Sequence, residues 1–225
     1  MMMKDLALLR LLQLVSSNLP VGGFTYSQGL EWACESGLVK NNEQFLNWQQ
    51  QIIHDNLCYL ELPLLIRLYQ AVENQDLSAL QHWNALLLQN RESKELRQEE
   101  RQRGQALARL IGQSGFCIQS DWLAQFKRSQ LSGFAWLASH WQIPLPPLLL
   151  GYAFNLMESA VLAGIKLVPF GQQAAQRLLL QLTEQLPFTV ETALAVTDDD
   201  IGAGFPLMAI ASSRHESQYS RLFRS

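Results

Sequence analysis

The chain has 225 residues, 48% of them hydrophobic and 16% charged, with a formal net charge of −3. The mild acidity excludes nucleic acid as the main partner, which would need a concentrated basic face, and the apolar content excludes a disordered chain. An average soluble domain carries about 25% charged residues, so part of this chain's surface is expected to lie against a partner rather than in water.

The segments read as helices separated by turn residues. Leu6, Leu9, Leu12 and Leu14 mark a first helix, ended by Ser16-Ser17-Asn18-Leu19-Pro20. Val21-Gly22-Gly23-Phe24 is a tight turn without the lysine of a phosphate loop. Thr25 or Ser27 caps a short helix through Glu35, stopped by Gly37. Asn42 caps a long helix with Phe45, Trp48, Ile52 and Ile53 on one face, which Pro63 is expected to break or kink. A helix over 77–89 follows. Residues 93–110 carry alternating charges at helical spacing, as a solvated helix face does. Shorter helices are expected around 122–127 and 133–141. The helix over 148–166 is apolar nearly all round, which predicts the most buried position. Helices over 172–185, 188–196 and 207–216 follow, with Asp198-Asp199-Asp200 and Gly202-Ala203-Gly204-Phe205-Pro206 as breaks. Strand-type alternation is nearly absent. The expected fold is an all-α single-domain bundle of about nine or ten helices.

Three widely spaced cysteines, Cys34, Cys58 and Cys117, make neither a disulfide framework nor a CxxC zinc site, which points to a reducing, cytoplasmic compartment. The start, Met1-Met2-Met3-Lys4-Asp5, runs into an apolar stretch that lacks a small-residue cleavage site, so no signal peptide is expected. The most apolar stretch, 145–168, contains Pro146, Pro147, Asn155, Glu158 and Lys166, so no membrane span is expected either.

The motifs of nucleophilic and metal catalysis GxSxG, GxxxxGK[ST] and HExxH are missing, and four scattered histidines make no evident catalytic cluster. An active site would have to assemble in the fold, for instance from His140, His215 and carboxylates. His54, Cys58 and Glu61 fall at i, i+4 and i+7, so an uninterrupted helix would put them on one face, where His54 and Cys58 could hold nickel or zinc. Their flanks Ile53, Leu57 and Leu60 fit an ordinary core equally well. Asp198–Asp200 reads as a solvated terminus or a weak cation site. Lys166 closes the apolar helix, where it complements the helix dipole or reaches an interface. Arg214, His215, Arg221 and Arg224 interleave with Tyr219, Leu222 and Phe223, a composition suited either to a loose basic tail or to a peptide that orders on a partner.

Four stretches resemble the urease accessory protein UreF family. They are Leu14-Val15-Ser16-Ser17-Asn18-Leu19-Pro20-Val21-Gly22-Gly23-Phe24-Thr25-Tyr26-Ser27-Gln28-Gly29-Leu30-Glu31, the charged run 91–104, Gly164-Ile165-Lys166-Leu167-Val168-Pro169-Phe170-Gly171-Gln172, and the end from Ile210 through Arg214-His215-Glu216 to Gln218-Tyr219-Ser220-Arg221-Leu222-Phe223-Arg224-Ser225. The resemblance implies a non-enzymatic, cytoplasmic, all-α scaffold without a tightly bound cofactor. It would join UreD (UreH) to the GTPase UreG on urease apoprotein, and nickel would be the cargo of the complex. It further implies a homodimer and a tail, 218–225, ordered by UreD. Arg214, His215, Tyr219, Arg221 and Arg224 become the expected partner-facing set, with Tyr26 supporting the same surface. Lys166 becomes the residue that controls GTPase coupling.

Overall fold

The computed structural model describes residues 3–202 and 204–224; Met1, Met2, Ala203, Ser225 and the side chain of Phe24 lie outside the described residues, and with them the first two residues of the N-terminal reading, the middle of the 202–206 link and the last residue of the expected tail. The described chain is all-α: α1 (Asp5–Leu14), α2 (Leu30–Glu35), α3 (Asn42–Ile52), a π-helical segment (Ile53–Glu61), α4 (Leu62–Glu73), α5 (Leu77–Gln89), α6 (Lys94–Gln113), α7 (Ser120–Phe126), α8 (Gln130–His140), α9 (Leu145–Leu167), α10 (Gln172–Thr183), α11 (Leu186–Ala195) and α12 (Pro206–His215). Short 3-10 turns cover Gly23–Thr25 and Asp198–Asp200. One hydrophobic cluster runs through the bundle.

Side-chain caps start α3, α5, α6 and α8. Asp76 accepts from Ala79 N at 2.9 Å, and Ser93 from Leu96 N at 3.0 Å. The cap of α3 is Asn41, one residue before the expected Asn42; Asn41 has the extended backbone of a cap and accepts from Gln44 N, while Asn42 is already helical. Gly37 takes φ +82° after α2, and Leu38 N→Ala33 O closes the turn at 2.9 Å. The same turn ends α4 and α8, but there the left-handed positions are Gln75 (φ 53°) and Gln142 (φ 56°). A side chain in that conformation costs about 1–2 kcal/mol. Gln142→Gly is therefore expected to stabilise the protein by up to about 1 kcal/mol, raising the melting temperature by about 2–4 °C. A lower melting temperature would show that the Gln142 side chain contributes more than the backbone strain costs.

Three further expectations are corrected. Pro63 does not break the helix. The preceding segment runs with i→i+5 bonds, Leu62 N→Leu57 O among them, and hands over to α4 with Pro63 in its first turn, where no amide is needed. The deepest helices are α4 and α8, not α9. α4 buries eight residues from Leu62 to Val72, whereas α9 buries one side and turns Leu150, Phe154 and Leu162 outward. By length and composition α9 could cross a membrane, yet 56% of its most apolar window is buried in the bundle. α1 buries Ala7, Leu11 and Leu14, and leaves Leu6, Leu9 and Leu12 exposed. Finally, α6 is solvated on one side only, where Lys94, Arg101 and Arg109 lie exposed. Glu95, Glu99, Glu100 and Arg103 are buried together with Arg91.

Candidate functional site: a carboxylate clasp on the C-terminal segment

α12 lies across α2 at Gly29, where a Cβ would come within 2.8 Å of Ser212 N and 3.0 Å of Ala211 Cβ. Only a glycine permits this approach, and its φ of +82° is also one that glycine tolerates. The approach brings the end of α12 between two acids. His215 is fully buried, with Nδ1 2.7 Å from Glu95 Oε2 of α6 and Nε2 3.1 Å from Glu31 Oε2 of α2. Ser212 Oγ and Ser93 Oγ meet at 2.6 Å beside them.

The following segment closes over the same two carboxylates. Arg221 Nη1 donates to Glu95 Oε1 at 2.9 Å, Leu222 N to Glu31 Oε1 at 2.6 Å, and Phe223 N to Glu31 Oε2 at 2.8 Å. Arg224 N donates to Thr25 O at 2.8 Å. The Phe223 side chain is buried, and Lys166 Nζ lies 5.3 Å from its ring centre. Tyr26, also buried, donates to Gln102 Oε1 at 2.6 Å and bonds the Arg224 side chain. Burial, then the charge of Glu99, pushes the Tyr26 phenol above its ordinary range, with Arg224 and Arg103 opposing.

A second charged layer lies beneath. Arg91 Nη1 meets Glu61 Oε1 at 2.8 Å and its Nη2 meets Glu100 Oε2 at 2.9 Å. Glu100 Oε1 also accepts from Gln130 N at the start of α8, and Glu61 Oε2 accepts from Tyr152 OH at 2.6 Å. Burial disfavours the Arg91 charge, but Glu61 and Glu100 outweigh it and hold the guanidinium protonated beyond its ordinary range. Burial and the same carboxylates push Tyr152 well up. Arg103 pairs with Glu99 at 2.9 Å, yet burial still raises the Glu99 carboxyl.

The residues singled out in the sequence separate into three groups. Tyr26 and His215 are buried members of the clasp. Arg221, Arg224 and Lys166 sit on its rim. Arg214 and Tyr219 point into solvent, Tyr219 completely. The segment 218–224 is held by its own chain here, because Glu31 supplies acceptors for its amides.

His54, Cys58 and Glu61 are not brought together. With the wider winding of the π-helical segment, His54 and Glu61, seven positions apart, no longer share a face. His54 is exposed beside Asp55, the Cys58 thiol points at Thr189 O, and Glu61 belongs to Arg91. Burial raises the Cys58 thiol, and burial then Glu31 push Cys34 up to about 11, so both stay protonated at neutral pH. Among the described residues no three His, Cys, Asp or Glu side chains are placed to hold a metal ion. His140 stacks on Trp136, away from the His215 clasp.

Sequence reasoning missed Glu31, Glu95 and Arg91. One signal was available: Leu96, Leu107 and Ile111 define a buried face of α6, and Glu100 and Arg103 fall on it at +4 and +7 from Leu96.

The model of the family described as UreF matches residues 39–183. A urease accessory protein UreF of Pseudomonas putida (strain F1) is 57% identical over the full length of both chains. The chain belongs to the UreF family. Relatives named urease accessory protein UreF in Citrobacter koseri and Klebsiella pneumoniae (strain MGH 78578) are each 52% identical over 96% of this chain. The family model stops short of Tyr26, Glu31 and α12, but the similarity to the Pseudomonas putida chain extends over the whole clasp.

Proposed function

We propose that this chain is a non-catalytic scaffold of urease maturation, cytoplasmic and without a tightly bound cofactor. It joins UreD (UreH) and the GTPase UreG on urease apoprotein and couples GTP hydrolysis to insertion of nickel, the cargo of the complex. Family membership supports the urease role. The observation that carries the scaffold reading is the clasp. The buried Glu31 carboxylate fixes the backbone of Leu222 and Phe223 while the Tyr219, Leu222 and Arg214 side chains are left outward, an aromatic, an apolar and an arginine group of the kind that anchors interfaces. UreD is the occupant of that rim in this reading. A pull-down with UreD, comparing the full chain with one ending at Gln218, tests it. Loss of capture is expected for the shortened chain, and equal capture would refute the assignment. Lys166→Ala is expected to lower the melting temperature by no more than about 4 °C, the size of one exposed lysine–aromatic contact, and to alter GTP hydrolysis in the assembled complex.

The homodimer of this reading is supported by the outward row Leu6, Leu9 and Leu12 of α1, with Leu150 and Phe154 of α9 beside the α1 contact at Gly151. Leu9→Glu is expected to yield monomers by light scattering after size-exclusion chromatography. A dimer that persists with unchanged dissociation would place the interface elsewhere.

A further inference from the structure

We propose that Phe223 is a positioning residue for Lys166, so that the docked or released state of the C-terminal segment is read out at the end of α9. The backbone beneath Lys166 is fixed. Val168 N bonds Gly164 O at 2.8 Å, Val168 and Phe170 are buried, and the Phe170 ring packs edge-on against Phe45 at 5.2 Å. The freedom of Lys166 lies in its flexible side chain, whose ammonium is exposed except where it rests over the Phe223 ring at 5.3 Å. That ring is placed by the clasp, through the bond from its own amide to Glu31 Oε2 at 2.8 Å. Segment and lysine therefore move together. With the segment docked, the ammonium is held over one ring face. With it released, the side chain samples its full rotamer range. A partner that takes or frees the segment thereby changes where a positive charge is offered to a second partner, whose matching group is a carboxylate or phosphate. The consequence for the GTPase rests on the scaffold reading above, but the Phe223–Lys166 coupling does not.

The coupling is measurable in the isolated full chain by trace acylation of lysines with peptide mapping, using Lys127 and Lys40 as internal references. An exposed lysine–aromatic contact protects by about two- to fivefold. Lys166 labelling relative to the references is expected to rise by about that factor in Phe223→Leu, which keeps the apolar anchor and the backbone bond. It is expected to stay at the wild-type rate in Phe223→Tyr, which keeps the ring face. A merely structural role for Phe223 would move all lysines together or none. Unchanged Lys166 labelling in Phe223→Leu, an equal rise at every lysine, or equal behaviour of the Leu and Tyr variants would each overturn the proposal. Failure of the UreD pull-down would leave these rates untouched, so the two readings fail separately.

Discussion

Arg91→Leu is expected to lower stability by about 3–5 kcal/mol, a fall in melting temperature on the order of 10 °C. The size follows from what is left behind. Arg91 is the shared partner of Glu61, on the π-helical segment, and Glu100, on α6, and all three side chains are at most 7% exposed. Removing the guanidinium leaves two buried carboxylates facing each other, whose remaining donors are the Tyr152 hydroxyl and the Gln130 amide. The cost is that of the stranded charges rather than of the lost pair, so part of it should be recovered by also neutralising Glu100 as Glu100→Gln. Thermal melts of the single and double variants measure both. A single variant within about 1 kcal/mol of the parent would mean that water reaches the two acids.

Glu31→Ala is expected to free the C-terminal segment and to destabilise the remaining body by about 2–4 kcal/mol. The first effect follows from the loss of both acceptors of the Leu222 and Phe223 amides. The second follows from His215, which is fully buried and would face only Glu95. Hydrogen exchange separates them. The Leu222 and Phe223 amides should lose protection entirely, and those of α8 only by the global shift. Persistent protection at Phe223 would mean that the apolar seat of its ring, not Glu31, holds the segment.

Much of the bundle was legible because helix ends carry local signals. The 77–89 helix matches α5 to the residue, since Asp76 is an ordinary cap and Asn90 an ordinary end. The clasp was only half legible. Arg221, Arg224 and His215 drew attention by their composition, but their anchors lie far away in sequence, Glu31 191 residues from Leu222. A single sequence carries no local mark of such a pairing. The charged helix misled for a related reason: alternating charge has the same pattern whether its partners are water or Arg91 and His215. The misplacement of α9 has another cause. An all-apolar helix is compatible with deep burial and also with one buried side and one side left exposed, and α9 takes the second course.

The π-helical segment sets the rotational phase between the two halves of one long helical rod. Each residue added to or removed from an α-helix turns everything beyond it by about 100°. α3 presents Phe45, Trp48 and Ile52 to the core, while α4 presents almost its whole circumference. The wider winding of Ile53–Glu61 is what lets Glu61 reach Arg91 at the junction. Deleting one residue there would preserve helicity by circular dichroism and yet swing Glu61 away from its guanidinium. In this protein the length of that segment is therefore less free to drift than the length of any exposed turn.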